Sequence, residues 1–285
     1  MKTLSSKRKT KTLKNRSETK DGNTKYLYQD LYDYIKNFKT KEGQILISII
    51  LPMYNEEKTI KVVLEELPYN NSIEIIVVND HSTDNSLKEI EKVKLKRAIK
   101  VINHKRNRGY GDAIVSGISH ANGNIIVTMD SDGQHSSDDI FFLVKPIFDG
   151  EADYTIGSRY KGTYFYKLPV LTRLGEVLVE KLIQIFFGKR VMNNQTGFRA
   201  FSRKVLPIFD NIKYHRYAFC TEQILKVSLS GFKIKECPIK VYRREYGSSS
   251  IILTTLARRI FSCLFYYYIQ KLKLMMKKRN KNRKF

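Results

Sequence analysis

The sequence predicts an α/β fold with a mostly parallel sheet and helices on both of its faces. Apolar runs of strand length alternate with amphipathic segments of helical period between residues 45 and 130. The apolar runs are nearly continuous, which is typical of strands buried on both faces. Polar and acidic residues follow three of these strands, at the edge where such sheets bind ligands.

The first half of the chain contains four predicted strands. They cover residues 45–51, 73–80, 98–104 and 124–130, and the helices between them cover residues 57–67, 86–94 and 111–121. In the first helix, Ile60, Val63, Leu64 and Leu67 lie on one face, as a helix packed against a sheet requires. This alternation of strand and helix predicts the parallel part of the sheet.

The second half is less regular. Strands are predicted over residues 152–160, 195–203 and 233–245, and helices over residues 170–188, 222–231 and 251–276. We divide the chain into a basic N-terminal arm with a short helix, a globular domain in two halves, and an amphipathic helix with a basic tail. Their boundaries are 1–44, 45–250 (halves 45–150 and 151–250) and 251–285.

The positive charge is concentrated at the two ends of the chain. Of the formal net charge of +24, residues 1–20 carry +7 and residues 271–285 carry +8. Basic ends predict a polyanionic neighbour, either a nucleic acid or an anionic membrane surface. Because the charge lies in tails and no nucleic-acid-binding signature is present, we expect no nucleic-acid partner.

The three cysteines, Cys220, Cys237 and Cys263, are too few and too scattered for a disulfide framework or a zinc site. They predict reduced thiols in a reducing compartment. The chain has no apolar run of signal-peptide type at its start and no run of about 20 apolar residues that would span a bilayer. We therefore expect a cytoplasmic protein.

Asp130 and Asp132 stand two residues apart in "MDSDGQH", at the end of an apolar strand. If the strand persists, both side chains point the same way, and they repel unless a cation lies between them or one is protonated. Mg²⁺ or Mn²⁺ prefers such ligands and is normally shared with substrate phosphates. Gly133 allows a close turn, and Gln134 or His135 could complete the shell. The alternative is an acidic loop in which "SSDD" caps the next helix.

The segments "PMYNEE" and "VVNDHSTDNS" follow the first two strands. A nucleobase and ribose could form hydrogen bonds with Asn55, Glu56 and Asp80. Helix capping is the alternative, and it explains Asp84 better than Asp80, which directly ends an apolar strand. The glycines of "NRGYGDA" do not follow the first strand and lack the third glycine of a dinucleotide fingerprint, which argues against a nicotinamide enzyme.

Seven motifs in order give the chain a family resemblance. They are "LPMYNEE", "VVNDHSTDNS", "NRGYGDAI", "MDSDGQH", "GSR", "QTGFRA" and "YRREYGSSS". Over residues 45–250 the chain resembles family 2 glycosyltransferases with the GT-A fold, and most of all the branch that makes polyprenyl-phosphate sugars. In that reading residues 45–150 form the nucleotide-sugar half and residues 151–250 the acceptor half.

The resemblance implies a set of site residues. The Mg²⁺ or Mn²⁺ ligands are Asp130, Asp132 and Gln134. The substrate-binding residues are Pro52, Tyr54, Asn55, Glu56, Asp80, Arg173, Glu222 and Ser249. The catalytic residues are Asp132, Arg159 and Arg244, with the arginines facing the phosphates of donor and acceptor. The chain departs from the family where Asn193 replaces a common aspartate and Ser250 a common lysine.

The implied reaction is an inverting transfer of a hexose from GDP-mannose or a UDP-sugar to a polyprenyl or dolichyl phosphate. A phosphate acceptor needs no general base, because its second pKa is about 6. The absence of a carboxylate at position 193, where this chain has Asn193, agrees with such an acceptor. A family 2 enzyme acting on a sugar hydroxyl, in polysaccharide or glycan assembly, is the alternative. The amphipathic spacing of residues 251–276 suits an interfacial helix at the cytoplasmic face of a membrane; a core-packing terminal helix is the competing interpretation.

Overall fold

The computed structural model describes residues 28–37, 44–166, 169–216, 218–246 and 253–282. Residues 1–27 and 38–43 of the predicted N-terminal arm, and Ser249 and Ser250 of the "YRREYGSSS" motif, lie outside these ranges. The strands are β1 Ile47–Met53, β2 Ile73–Asn79, β3 Lys100–Asn103, β4 Ile125–Thr128, β5 Tyr154–Tyr164, β6 Arg199–Ser202 and β7 Ile234–Val241. The helices are α1 Gln29–Asn37, α2 Ile60–Glu65, α3 Ser86–Lys94, α4 Tyr110–Ser119, α5 Ile140–Phe148, α6 Val170–Phe187, α7 Phe219–Leu229 and α8 Leu253–Asn282.

The seven strands form one sheet in the order β3-β2-β1-β4-β6-β5-β7. β1 pairs in parallel with both β2 and β4, and β2 pairs in parallel with β3. β6 runs antiparallel to its neighbours β4 and β5, whereas β5 and β7 are parallel. The mostly parallel sheet is therefore confirmed. The chain moves outward from β1 to β3 and then returns to β4, so a ligand crevice is expected at the carboxyl ends of β1 and β4.

Two apolar cores cover the two faces of the sheet, as the continuous apolar strands require. Along β1, Ile47, Ile49 and Leu51 face one core and Ile50 faces the other. Helices α1, α2, α3 and α5 pack in the first core, and α4, α6, α7 and α8 pack in the second. The prediction of helices on both faces is thus confirmed.

The C-terminal helix α8 belongs in part to the globular body. Ile260, Cys263, Leu264 and Tyr267 are buried in the second core, whereas Phe265 on the same helix is 68% exposed. The core-packing interpretation therefore holds for this buried stretch of the helix, and the interfacial interpretation stays a prediction. Among the residues described, no helix combines the length and apolar character needed to cross a bilayer.

Candidate active site

A cavity of about 570 Å³ lies at the carboxyl ends of β1, β2 and β4. It is lined by Pro52, Met53, Tyr54, Asn55, Glu56, Asp80, Asn107, Gly109, Tyr110, Ala113, Asp130, Ser131, Asp132, Gln195, Gly197, Arg216, Ala218, Cys220, Arg244 and Leu256. The predicted polar groups of three strand ends therefore meet in one pocket. They do so because parallel strands bring their carboxyl ends to one edge of the sheet.

The loop after β1 is fastened to the loop after β2. Asn55 adopts a left-handed backbone conformation with φ of 55°, which asparagine tolerates better than most residues. Its side-chain oxygen accepts a hydrogen bond from Thr83 N at 2.8 Å, and its own backbone N–H donates to Ser82 Oγ at 3.0 Å. Tyr54 beside it is half exposed in the pocket wall. These contacts hold the part of the cavity lining that follows β1.

Glu56 meets Arg244 across the pocket. The guanidinium of Arg244 donates to Glu56 Oε1 at 2.6 Å, and Thr59 Oγ1 donates to Oε2 at 3.0 Å. Burial raises the pKa of Glu56, and the charge of Arg244 only partly opposes this increase. The pair joins the end of β1 to the segment after β7. It thereby brings the Arg244 guanidinium to the carboxylates that line the cavity.

Asp80 is buried and already has several hydrogen-bond partners. Its carboxylate accepts from His104 Nδ1 at 2.7 Å and from the backbone N–H groups of Arg108 at 2.8 Å and Gly109 at 2.7 Å. These bonds shape the loop that leads into α4. Asp80 lines the pocket as well, so contact with a nucleotide stays a prediction.

Asp130 and Asp132 both line the pocket, although strand geometry does not bring them together. The pairing of β4 ends at Thr128, so the condition that the strand persists is not met. A turn with Gly133 at φ of 76° follows, and Ser131 Oγ anchors it by donating to the carbonyl of Pro52 at 2.8 Å. The convergence of the two carboxylates is therefore a property of this turn.

The two carboxylates differ in their surroundings. Burial opposes ionisation of Asp130, but hydrogen bonds from His135 and Tyr110 hold the pKa of its carboxyl below the ordinary value. Burial and the neighbouring charge of Asp130 raise the pKa of Asp132. With Glu56 also close to both, the site carries concentrated negative charge that a cation would neutralise.

The donor set fits a divalent cation that is shared with a substrate. Among the described residues, no group of three or more His, Cys, Asp and Glu side chains forms a complete metal site. Two carboxylates with the remaining positions left to phosphate oxygens and water are a common arrangement for Mg²⁺. Gln134 donates its side-chain amide to the carbonyl of Tyr242 at 3.0 Å and does not line the cavity, so its role as a ligand stays a prediction.

Gly197 makes room for the Asp130 carboxylate. A Cβ atom at this position would overlap Asp130 Oδ1 and the Tyr110 hydroxyl. Gly197 precedes β6, whose antiparallel pairing with β4 brings it against the carboxyl end of that strand. The motif "QTGFRA" contains this glycine, but the sequence alone does not mark it as a site residue, because its role depends on two residues more than 60 positions away.

Arg199 is a buried cation that sequence reasoning also missed. Only 1% of it is exposed, and its guanidinium donates to the carbonyls of Asn194 and Thr196 at 2.8 Å and of Cys220 at 2.9 Å. It thereby holds the turn that carries Gly197. An arginine within an apolar strand was the signal that could have revealed it.

The structure does not bring Arg159 and Arg173 to the cavity. Arg159 donates to the Tyr166 hydroxyl at 2.6 Å and to Glu176. Arg173 lies 3.8 Å from Glu176 Oε2 and its guanidinium stands over the ring of Tyr160. Both arginines instead join β5 to α6.

Glu222 and Asn193 are also buried away from the cavity lining. Glu222 is fully buried in α7 and receives hydrogen bonds from three neighbours. Asn193 donates its side-chain amide to the carbonyl of Gly157 at 3.0 Å, while its backbone N–H donates to Glu236 at 2.9 Å. In the structure these two side chains organise loops.

Comparison with known proteins adds a family and a fold. The family model described as "Glycosyl transferase family 2" matches residues 48–209. UDP-N-acetylglucosamine–dolichyl-phosphate N-acetylglucosaminyltransferase of Methanococcus voltae is 32% identical over 71% of this chain and 88% of its own. Dolichol-phosphate mannosyltransferase of Pyrococcus furiosus is 27% identical over 72% of this chain and 59% of its own.

A solved structure has the same architecture. Glucosyl-3-phosphoglycerate synthase from Mycobacterium tuberculosis, in complex with Mn²⁺, UDP and glucosyl-3-phosphoglycerate, superimposes with a TM-score of 0.62. The match covers 78% of this chain and 80% of that chain at 21% identity. At this identity the likeness concerns the fold, and it confirms the predicted architecture.

Proposed function

This chain belongs to glycosyl transferase family 2, and we propose that it moves a hexose from a nucleoside-diphosphate sugar to a polyprenyl phosphate at a membrane surface. Family membership makes it a glycosyltransferase. The identity of the donor, GDP-mannose or a UDP-sugar, and the choice of acceptor are the proposal. One observation carries it: Asp130, Asp132 and Asp80 and the Glu56–Arg244 pair all line one cavity at the switch point of the sheet.

Asp130 and Asp132 would hold Mg²⁺ or Mn²⁺, and Gln134 remains a candidate third ligand. When bound, such an ion supplies positive charge that stabilises the departing diphosphate. Support comes from the negative charge concentrated at these carboxylates and from the Mn²⁺ and UDP in the related glucosyl-3-phosphoglycerate synthase structure. The charge of Asp130 disfavours the ionised form of Asp132, so a bound cation would stabilise the Asp132 carboxylate most.

The residues after β1 and β2 would bind the nucleotide. Pro52, Tyr54 and Asn55 line the cavity, and Tyr54 offers an aromatic face for a base. Asp80 holds the adjacent loop. Arg244, paired with Glu56 in the structure, would contact a phosphate of the donor, since an arginine fork suits phosphate geometry.

The acceptor half would recognise a phosphate. Arg159 and Arg173 lie together beside Glu176 and Tyr160 and do not line the cavity, so the proposal that they face substrate phosphates rests on the family resemblance. The proposal for Ser249 rests on the family resemblance alone. Asn193 is buried and donates a hydrogen bond from its side-chain amide to the carbonyl of Gly157, which agrees with an acceptor that needs no general base.

Two adjacent helices would place the enzyme on a membrane. Tyr268 of α8 packs 4.8 Å from Phe186 of α6, and Lys271 donates to the carbonyl of Phe186 at 2.6 Å. Both helices expose apolar side chains, namely Val170, Leu174, Leu178, Ile185, Phe261, Phe265, Leu272, Leu274, Met275 and Met276. Exposed cations stand on α8 as well, including Arg258, Arg259 and Lys273. Apolar and cationic groups on one helix suit an anionic bilayer, and we propose that the bilayer surface is the cytoplasmic face.

We expect the double substitution Phe261→Glu/Phe265→Glu to weaken binding to phosphatidylserine-containing vesicles at least about tenfold, because each buried aromatic contributes about 1.5–3 kcal/mol. Vesicle sedimentation measures it. The double variant Thr254→Glu/Asn280→Glu is the matched control, because it adds the same charge to exposed positions of α8 and removes no apolar side chain. Equal losses in the two variants would contradict an apolar contribution. Deleting α8 is a poorer test, since it would open the second core.

The reaction is tested with labelled GDP-mannose, UDP-glucose and UDP-N-acetylglucosamine, Mn²⁺, and either a polyprenyl phosphate or an oligosaccharide. We expect label from one donor to enter the lipid phase. Label found only in the oligosaccharide would establish the alternative acceptor, a sugar hydroxyl. A thermal-shift series with the same donors measures binding separately, because a ligand of the native state raises the melting temperature.

A further inference from the structure

We infer that a buried hydroxyl–carboxylate pair, Tyr267 of α8 and Glu222 of α7, positions the rim of the pocket so that Arg216 can bind the diphosphate of the donor. This inference rests on the proposed function and extends it to two positioning residues and one binding residue. The rim segment comprises residues 213–216 and leads to Ala218, which lines the cavity.

Both carboxylate oxygens of Glu222 accept hydrogen bonds, and this is the first observation that supports the inference. Oε1 accepts hydrogen bonds from the Tyr267 hydroxyl at 2.6 Å and from the backbone N–H of Lys213 at 2.9 Å. Oε2 accepts from the backbone N–H of Tyr214 at 2.8 Å. Glu222 is completely buried, so these bonds replace its lost hydration. One carboxylate thus joins α7, α8 and the rim segment.

Helix α8 contacts the rim segment a second time. The Tyr214 hydroxyl lies 3.0 Å from Ser262 Oγ. Burial and the bond to Glu222 raise the pKa of Tyr267 well above its usual range, so the hydroxyl keeps its proton and acts as the donor. Leu256, one turn before the buried stretch of α8, itself lines the cavity. The helix is therefore part of the pocket wall.

The opposite side of the rim segment is held by the start of α4. Gly111 N donates to the carbonyl of His215 at 2.7 Å, and His215 Nδ1 lies 2.5 Å from Asp112 Oδ1. A Cβ atom on Gly109 or Gly111 would overlap Arg216 Cγ or the His215 carbonyl. The rim segment therefore lies close against α4 on one side while Glu222 holds it on the other.

The backbone beyond the rim segment is strained. Ala218 has φ of 68°, a left-handed conformation that costs a non-glycine residue about 1–2 kcal/mol. Such a conformation persists only where the surroundings impose it. The bonds from Glu222 and α4 supply that constraint, which agrees with a rim that is positioned rather than free.

Arg216 is the functional group that this arrangement presents. It lines the cavity, is exposed, and donates to the side-chain oxygen of Asn107 at 2.9 Å, a neutral partner. Arg244 stands in the same cavity but is paired with Glu56. A cation with an uncharged partner is available to an anionic ligand at little cost, and arginine suits phosphate oxygens.

The test measures the affinity of the full-length protein for UDP and GDP with Mn²⁺, by calorimetry, in Arg216→Ala, Tyr267→Phe and the double variant. We expect Arg216→Ala to weaken binding of the preferred nucleotide about tenfold, the usual loss for a hydrogen bond to a charged group. Tyr267→Phe should weaken it several-fold, and the double variant no further than Arg216→Ala, because both changes act through one arginine.

Tyr268→Phe is the matched control, since it removes a hydroxyl from the same helix beside Phe186 and should leave the affinity unchanged. Ser262→Ala, which removes the second contact of α8 with Tyr214, gives an independent variant if Tyr267→Phe unfolds. Unchanged affinity in Arg216→Ala, or losses that multiply in the double variant, would overturn the inference. A wild-type protein that binds neither nucleotide would overturn the proposed function, and this inference with it.

Discussion

Replacing Asp132 by asparagine lowers the rate of sugar transfer by about a hundredfold or more, the scale on which loss of one charge-stabilising group acts. The substitution removes one of the two carboxylates proposed to hold the cation and retains the shape of the side chain. It should also abolish the rise in melting temperature caused by Mn²⁺, because binding to the native state is the source of that rise. Both effects are measured on the same purified variant.

Without a bound cation, the Asp132→Asn substitution should not lower the melting temperature. Folding raises the pKa of Asp132, so its ionised form destabilises the native state above that pKa, and the effect disappears as the pH falls through it. In EDTA the Asp132→Asn variant should therefore melt at or above the wild-type temperature at neutral pH. This difference in melting temperature between the variant and the wild type should become smaller as the pH is lowered. Thermal unfolding followed over a pH series measures this.

Asp138→Asn is the control for Asp132→Asn. It removes a carboxylate from the same segment, but one that does not line the cavity. We expect it to retain transfer and the Mn²⁺ response. Wild-type transfer that continues unchanged in excess EDTA, or an Asp132→Asn variant with a normal Mn²⁺ response, would show that the two carboxylates do not hold a cation.

The second large effect is expected for Gly197→Ala. The added methyl group meets Asp130 Oδ1 and the Tyr110 hydroxyl, so the carboxylate has to move or the turn has to shift. Overpacking of this kind costs about 1–3 kcal/mol of stability. Because a displaced Asp130 no longer converges with Asp132, we expect transfer to fall at least about tenfold, with weaker Mn²⁺ stabilisation.

Gly175→Ala is the matched control for this change. Gly175 lies within helix α6, and no heavy atom outside the local helix backbone lies within 4 Å of the Cβ that this substitution adds. Alanine is favoured over glycine in a helix by about 0.5–1 kcal/mol, so this variant should melt slightly higher and transfer sugar normally. Normal transfer and Mn²⁺ response in Gly197→Ala would mean that the Asp130 carboxylate has no fixed position in the active enzyme.

Much of the fold was predictable because its signals are local. The apolar runs of β1, β2 and β4 and the helical spacing of α2 depend on neighbouring residues, and each element lies within a few residues of its predicted position. The gathering of Asp80 and Asp130 followed from one further rule, that parallel strands end at the same edge. The seven motifs then indicated the family that the comparisons show.

Other parts of the site were beyond local reasoning. The convergence of Asp130 and Asp132 was attributed to a continuing strand, whereas a turn anchored to Pro52 produces it. Arg159 was expected to face a phosphate of the donor or the acceptor, and in the structure it pairs with Glu176. Each of these outcomes depends on which neighbour a side chain meets, and spacing along the chain does not contain that information.

The strands and helices, the edge of the sheet at which polar groups collect, and the membership of a glycosyltransferase family can all be inferred from the amino-acid sequence alone. Three contacts arise only in the folded chain: Glu56 meets Arg244, Gly197 makes room for Asp130, and Glu222 and Tyr267 hold the rim segment. Secondary structure follows the periodicity of adjacent side chains. A pocket instead depends on strand order and helix packing, and these are fixed only when the two cores close over the whole sheet.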